Sequence, residues 1–463
     1  MRRKAVLTAA AFLAAIGLNA TRANAQGYSV YEHDACAMGR AGAGVASPCA
    51  GGSAIFFNPA GIVTGERNKW NVSSGVTMIP PRGSWVPDGG GTATDLVENN
   101  IPVPNIYVTR QIGTRFAVGV GMFAPYGLTT EWPTTSPGRF LSYKATIKGI
   151  YIQPTIAFRV NPRIQVGAGI DIVRSAVDLK QRVDLSSQLF PGAGGATFGT
   201  LPQTLVPAGT DFADVRMHGT GTAYAAHFGI IFRPIDALSL GARYMTGTTI
   251  EGTGYAGFTQ VATGRRLLGP LSASLPTGTP IDAIVAAQFA TGGSMVTQTV
   301  TAEIPMPSQL VVGFDMRVMT GLHVMADVQL TNWSAFEQLP LTLGVAGPRV
   351  LYENYVNTVG FRAALEYAVT PKLNVRGGFL MHGAAAPDHT VTPLLPEAAR
   401  KEVVIGAGYQ LASGIRIDAA YQIIKQADRD GRVADWTPDN PVPNTGVYKF
   451  SANLLGIGAS FAF

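Results

Sequence analysis

Few side chains in this 463-residue sequence are placed to do chemistry. Six histidines are scattered at positions 33, 218, 227, 323, 382 and 389, and none stands beside a serine or aspartate at a spacing that builds a nucleophile–base pair. Cys36 and Cys49 are the only cysteines. With His33 nearby they supply too few ligands for a metal site. Their expected chemistry is oxidation to a disulfide, since the chain carries an export signal. A bridge closing about fourteen residues contributes ~3 kcal/mol in the chain-entropy model. No catalytic residue, metal or cofactor is expected.

The elements around these residues belong to a membrane. Arg2, Arg3 and Lys4 precede an apolar run, Ala5 to Leu18, and Ala23-Asn24-Ala25 is a small-x-small cleavage site, so residues 1–25 read as a signal peptide. No later run is apolar and long enough for a transmembrane helix. The last residues alternate: Leu455, Ile457, Ala459 and Phe461 share one parity, and Gly456, Gly458 and Ser460 the other. An apolar face ending in aromatics over a small, polar face suits a lipid-facing barrel strand. Charged residues are only 14%, and with the four basic residues of the leader removed the net charge falls from +6 to +2, which argues against a nucleic-acid partner.

About fourteen segments bounded by Gly, Pro, Asn and Asp read as strands, from 68–79 to 448–463. Among them are 114–126, 163–183, 236–254 and 298–319. Short turns at Ile112-Gly113, Asn161-Pro162, Pro234-Ile235, Thr320-Gly321, Thr370-Pro371 and Ser413-Gly414 alternate with long connections near 80–100, 127–139, 184–211, 255–297, 334–351, 383–399 and 427–447. That alternation is the mark of an antiparallel outer-membrane barrel, with periplasmic turns and extracellular loops. The expected fold class is therefore all-β: a transmembrane antiparallel β-barrel over 68–463, in the bacterial outer membrane. Charges of both signs fall on the parity opposite the apolar one, as with Asp315, Asp327, Arg362, Glu366, Arg416 and Asp418. They predict a salt-bridged, partly filled lumen. Residues 26–67 do not alternate; Gly39-Arg40-Ala41-Gly42-Ala43-Gly44 and Gly51-Gly52-Ser53-Ala54 have the small residues that a compact plug needs.

The run GRAGAG followed by SAIFFNPAG, just before the first strand, resembles the N-terminal hatch of the FadL family of outer-membrane transporters for long-chain fatty acids and other hydrophobic compounds. Asn58-Pro59-Ala60 is the family's best-known mark. Pro104-Asn105, Tyr126-Gly127-Leu128-Thr129-Thr130-Glu131-Trp132 and Thr331-Asn332-Trp333-Ser334-Ala335-Phe336 extend the similarity along the mature chain. The resemblance implies fourteen strands, a hatch over 26–67 that blocks the lumen, a substrate pocket, and an inward kink in strand three that opens the wall sideways. Pro125, Tyr126 and Gly127 mark that kink, because Pro lacks a ladder donor and Gly permits a bend. Asn58-Pro59-Ala60 is expected to abut it. A narrow general diffusion porin is the competing reading, against which the plug-like segment argues.

A hydrophobic solute gains ~0.8 kcal/mol per buried CH₂ on leaving water, so it needs an apolar path. Phe190 in the 184–211 connection and Ile284 and Phe289 in the 255–297 connection are candidates for a capture groove. In strand five the apolar parity changes between Ile172 and Val177, and Lys180 and Arg182 lie beyond the change. The resemblance implies a basic residue there to meet a substrate carboxylate. After Phe336-Glu337-Gln338-Leu339, where the fatty-acid type has a second basic residue, stands Pro340. That departure leaves room for a neutral hydrophobe such as an aromatic hydrocarbon. The expected partners are a hydrophobic small molecule, outer-membrane lipid and lipopolysaccharide, and the barrel-assembly machinery. A monomer is expected, because no strand shows an unusual polar outer face.

Overall fold

The computed structural model describes residues 27–463 except Ala346 and Ser413; the signal-peptide expectation lies outside them. Fourteen strands close into one antiparallel barrel. They are β1 (Trp70–Ile79), β2 (Ile101–Ile112), β3 (Phe116–Glu131), β4 (Lys144–Asn161), β5 (Ile164–Asp184), β6 (Asp211–Ile235), β7 (Leu238–Met245 and Thr248–Gln260), β8 (Gln298–Met306 and Gln309–Met319), β9 (Leu322–Thr331), β10 (Thr358–Ala368), β11 (Leu373–His382), β12 (Arg400–Ala412), β13 (Ile415–Gln426) and β14 (Gly446–Ala462). The seam is β1 on β14, from Asn71↔Ala462 to Met78↔Leu455. Closure removes the free sheet edges that an open sheet would leave in lipid, apart from a stretch between β2 and β3.

The outward face carries the expected apolar parity. Ile156, Ile170, Phe228, Ile230, Ile405 and Ile457 are exposed, while Gln153, Gln165, Asp327, Arg362 and Glu402 on the opposite parity are buried inside. Among the described residues no helix is long and apolar enough to cross a membrane; the crossing is made by strands.

The connections hold more regular structure than the sequence suggested. Residues 334–351, expected as an open connection, contain a hairpin, Gln338–Leu343 with Gly347–Tyr352, whose first arm pairs with β8. Pro81–Pro87 continues the wall above β1 by pairing with β14. Segment 298–319 is not one unbroken strand but is interrupted at Pro307-Ser308, since Pro307 has no N–H for the ladder.

Residues 27–67 fill the lumen. Two short helices, α1 (Ala35–Gly39) and α2 (Ala54–Phe57), are wholly buried. Arg40 reaches Glu366 on β10 at 2.8 Å; Glu366 also pairs with Arg376 on β11, and Arg376 with Asp418 on β13 at 2.6 Å. Asp327 on β9 accepts from the Gly44 and Val45 amides at 2.8 and 3.1 Å. The mixed inner charges thus bolt this segment to one side of the wall. Cys36 and Cys49 are bonded to each other, joining α1 to the turn that follows it.

Candidate functional site

The ladder between β2 and β3 is interrupted, and the reason lies in the sequence. β2 and β3 pair from Ile112↔Phe116 to Ile106↔Met122 and then part. Beyond that point β2 keeps only β1 as neighbour, and β3 keeps only β4. Pro102 and Pro104 remove two backbone donors from β2 in this stretch, so a ladder there would be poor. On β3, Ala124 and Pro125 together oppose Ile150, a one-residue bulge between the Phe123↔Tyr151 and Tyr126↔Gly149 pairs. A bulge flips the parity of all that follows it. Phe123 points inward; without the bulge Tyr126 would point to lipid, and with it Tyr126 is fully buried inside.

The N-terminal residues lie against the freed edge of β3. Val30 N–H donates to the Pro125 carbonyl at 2.9 Å, and Gly127 N–H donates to the Tyr28 carbonyl at 3.0 Å, around an antiparallel bridge from Ser29 to Tyr126. Gly27 has φ +54, and a Cβ there would strike the Trp333 indole. Tyr28 meets Trp333 edge-on at 4.7 Å, Phe336 at 5.6 Å and Tyr126 at 6.1 Å. With Tyr355 these rings form a closed aromatic cluster beneath the extracellular loops.

A cavity of about 370 Å³ sits at the parting, within the range of small-molecule sites. It crosses the wall. Its inner boundary includes Tyr28, Ile424 and Leu454, and its outer boundary Pro102, Pro104 and Ile150. Leu394 and Leu395, from the 383–399 connection folded into the barrel mouth, are buried, and Leu395 roofs the cavity. The roof is held to β3 and its extension: Thr130 donates to the Leu394 carbonyl at 3.3 Å and Trp132 to the Pro393 carbonyl at 3.1 Å.

Four acidic or basic residues line the space: Glu32, Lys148, Glu397 and Arg400. The two carboxylates already have donors. Glu32 accepts from Tyr31 N–H at 2.9 Å and from Gln422 at 2.8 Å, and Glu397 accepts from the Ala385 and Ala386 amides at 3.0 Å each. Burial pushes the Glu397 carboxyl above its usual range, against the opposing pull of the Ala386 amide and the Arg400 charge. Arg400 donates Nη2 to the Gly27 carbonyl at 2.9 Å, and its buried Nε has no partner among the described residues. An apolar cavity with one under-used guanidinium can take the acidic end of an amphiphile.

Asn58, Pro59 and Ala60 lie elsewhere than expected. They do not abut the bend at Pro125 to Gly127, which Tyr28 to Val30 occupies instead. They dock on β5, β6 and β7. The Asn58 side-chain amide donates to the carbonyls of Val45, Ile230 and Ala242 at 2.7, 3.0 and 3.3 Å, and its Oδ1 accepts from Ala60 N–H at 3.1 Å. Close approach is possible because Gly167, Gly229 and Gly241 line that wall; a Cβ at any of them would overlap Pro59, Asn58 or Val45.

The remaining sequence candidates are not gathered at the cavity. Phe190, Ile284 and Phe289 join one apolar cluster in which the 184–211 and 255–297 connections pack on each other, with Leu189, Leu205 and Leu268 exposed. Lys180 and Arg182 face outward, opposite the inward Leu179 and Val183. Arg182 is engaged with Asp214 at 3.3 Å and lies over the Tyr143 ring. Arg400 was not singled out by sequence; within the charged run Arg400-Lys401-Glu402 at a strand start, nothing marks one residue as a ligand. Leu394-Leu395-Pro396, an apolar run inside a connection, could have pointed to the roof.

The sequence matches, over residues 16–463, the family model described as outer membrane protein transport protein (OMPP1/FadL/TodX). It is 24% identical to the 47 kDa outer membrane protein of Pasteurella multocida (strain Pm70), covering 100% of both chains. Among solved structures, a Pseudomonas aeruginosa FadL homologue superposes with a TM-score of 0.76 at 21% identity, over 94% of this chain and 99% of that one. The Pseudomonas putida toluene transporter TodX does so with a TM-score of 0.65 at 14% identity, over 94% and 99%.

Proposed function

The chain belongs to the OMPP1/FadL/TodX family of outer-membrane transport proteins, and from that premise we propose that it takes up long-chain fatty acids through the side of its barrel. The carrying observation is the cavity at the β2–β3 parting, which touches both lumen and lipid face. The 27–67 segment acts as the hatch. It obstructs the axial route, and a solute that reaches the cavity leaves through the wall into the membrane.

The energetics favour this route. Each CH₂ gains ~0.8 kcal/mol on leaving water, so a sixteen-carbon chain gains on the order of 12 kcal/mol. A water-filled channel would require that gain to be surrendered midway. A passage from an apolar loop cluster to an apolar cavity to lipid keeps the chain dry throughout. In this reading the loop residues Phe190, Ile284 and Phe289 belong to the capture surface, and Arg400 holds the carboxylate while the hydrocarbon lies along Ile424, Leu454 and Ile150. Release needs Tyr28 to Val30 to leave the β3 edge, which costs two backbone hydrogen bonds.

A neutral aromatic hydrocarbon is the second reading. The aromatic cluster around Tyr28 and Trp333 favours it, as does Pro340. Cells that depend on this protein for uptake separate the two. With Arg400→Leu, oleate uptake should fall about tenfold, as expected for loss of a charge-assisted contact of about 1.5–3 kcal/mol, while toluene uptake persists. Loss of neither, at equal surface abundance, removes Arg400 from the mechanism. Toluene uptake with no oleate uptake in the unsubstituted protein favours the second reading.

A further inference from the structure

Above the lipid-facing band, β4, β5 and β6 turn a set of cations outward. The band ends on these strands at Ile150, Ile172 and Tyr224, with Tyr224 68% exposed. Arg174 pairs directly with Ile150 across the β4–β5 ladder, and Lys148 pairs with Ala176, one step higher. Higher still, Lys144 opposes Lys180, and Lys180 opposes Arg216, so three cations stand in one row across three strands. Like charges directly opposed on a sheet repel. The two outer members are neutralised, Lys144 by Glu131 at 2.7 Å and Arg216 by Asp178 at 2.5 Å. Lys148, Arg174 and Lys180 have no ion-pair partner among the described residues. On the far side the patch is bounded by Glu251 and Glu303, which face each other across β7 and β8. This outer face is polar above the band, which the sequence reading did not anticipate.

We propose that the patch binds a phosphorylated glycolipid of the outer leaflet, of the lipopolysaccharide type. Its acyl chains would lie on Ile150, Ile172 and Tyr224, and its phosphates against Lys148, Arg174 and Lys180. Continuity with the lipid-facing band selects a lipid over a soluble anion. Extent selects the headgroup: Arg174 and Lys180 are six residues apart on one strand, ~20 Å at 3.4 Å per residue. A single phospholipid phosphate can reach one tier of this column. A sugar headgroup with several anionic groups can reach all of it, and it supplies the counter-charge that Lys148, Arg174 and Lys180 lack. Arg and Lys are suited to phosphate as fork and point charge respectively.

The test uses the full-length barrel with Lys148→Ala, Arg174→Ala and Lys180→Ala combined. The control carries Lys401→Ala and Lys425→Ala, exposed positions on β12 and β13. Heat-modifiable gel mobility verifies assembly of each. Glycolipid retained through mild detergent extraction is counted by mass spectrometry. Purified barrels are then titrated with lipid A, with enzymatically dephosphorylated lipid A, with phosphatidylglycerol and with inorganic phosphate. The expected result is at least a fivefold drop in retained glycolipid in the triple variant, none in the control, and binding of lipid A alone among the four probes. The paired variant Lys148→Arg with Arg174→Lys should keep binding, which separates charge from local packing. Equal retention by the triple variant and the unsubstituted protein overturns the proposal. Equal binding of phosphatidylglycerol or dephosphorylated lipid A does so too.

Discussion

The Tyr126 hydroxyl donates to the Pro307 carbonyl across the lumen, 2.7 Å away, and accepts from the Gln309 side-chain amide at 2.9 Å. Two irregularities complete each other here. The bulge in β3 turns Tyr126 inward, and the break in β8 frees the carbonyl that receives it. Both groups are buried, so each would be costly to leave without a partner.

Tyr126→Phe keeps the ring among Tyr28 and Trp333 and removes only this pair of bonds. The barrel should lose about 1–3 kcal/mol, the cost of buried polar groups left unmet. Urea unfolding followed by tryptophan fluorescence measures it. An unchanged midpoint would mean that the bend and the break are independent.

Asn58 satisfies three carbonyls at once, two of them from adjacent wall strands. Asn58→Ala should destabilise docking of the 27–67 segment, seen as faster proteolysis there while the barrel stays intact. Asn58→Asp should be worse, because a carboxylate would face carbonyl oxygens. If Asn58→Asp is as resistant as the unsubstituted protein, the motif does not anchor the hatch through its amide.

Gly27 sits against the face of Trp333 with a left-handed backbone. Gly27→Ala should therefore push Tyr28 to Val30 off the β3 edge. Amide exchange at Val30 and Gly127, the two donors of the bridge, should quicken at least tenfold, with exchange in β5 and β6 unaltered. Slow exchange at both positions in the variant would show that the edge contact does not depend on Gly27.

The lipid-facing parity and the inner charges were legible because each rests on a local pattern of period two. The Pro125 irregularity was legible for the same reason. The docking place of Asn58-Pro59-Ala60 was not. Gly167, Gly229 and Gly241 are distant in sequence, and a strand glycine reads alike whether it faces lipid or a packed segment. Strand five shows the limit plainly. Its change of apolar parity after Ile172 was visible, but the side taken by Lys180 and Arg182 depends on where the lipid ends. Above that edge the outer face meets water and turns polar, while Val177, Leu179 and Val183 line the upper lumen. Pro307, by contrast, carried a readable signal for a break in β8.

Replacing Pro125 and Gly127 together by valine tests the side route. The first replacement restores a backbone donor, and the second removes the flexible position two residues on. A Cβ at Gly127 has room, its nearest neighbours being the Ile147 carbonyl at 3.7 Å and Val30 at 3.9 Å. The variant should therefore assemble, with heat-modifiable mobility retained. A straighter β3 lies closer to β2 and narrows the parting, so uptake of a hydrophobic substrate should fall at least fivefold at equal surface abundance. Small hydrophilic solutes should enter no faster, because residues 27–67 still fill the lumen. Deleting residues 58–60 loosens that filling instead. It should also lower hydrophobic uptake, but through a mobile hatch, and here leakage of hydrophilic solutes should rise. The two variants thus share one readout and differ in the other. Unchanged hydrophobic uptake in the straightened variant, with the barrel assembled, would rule out exit through the wall and leave the lumen axis as the only path.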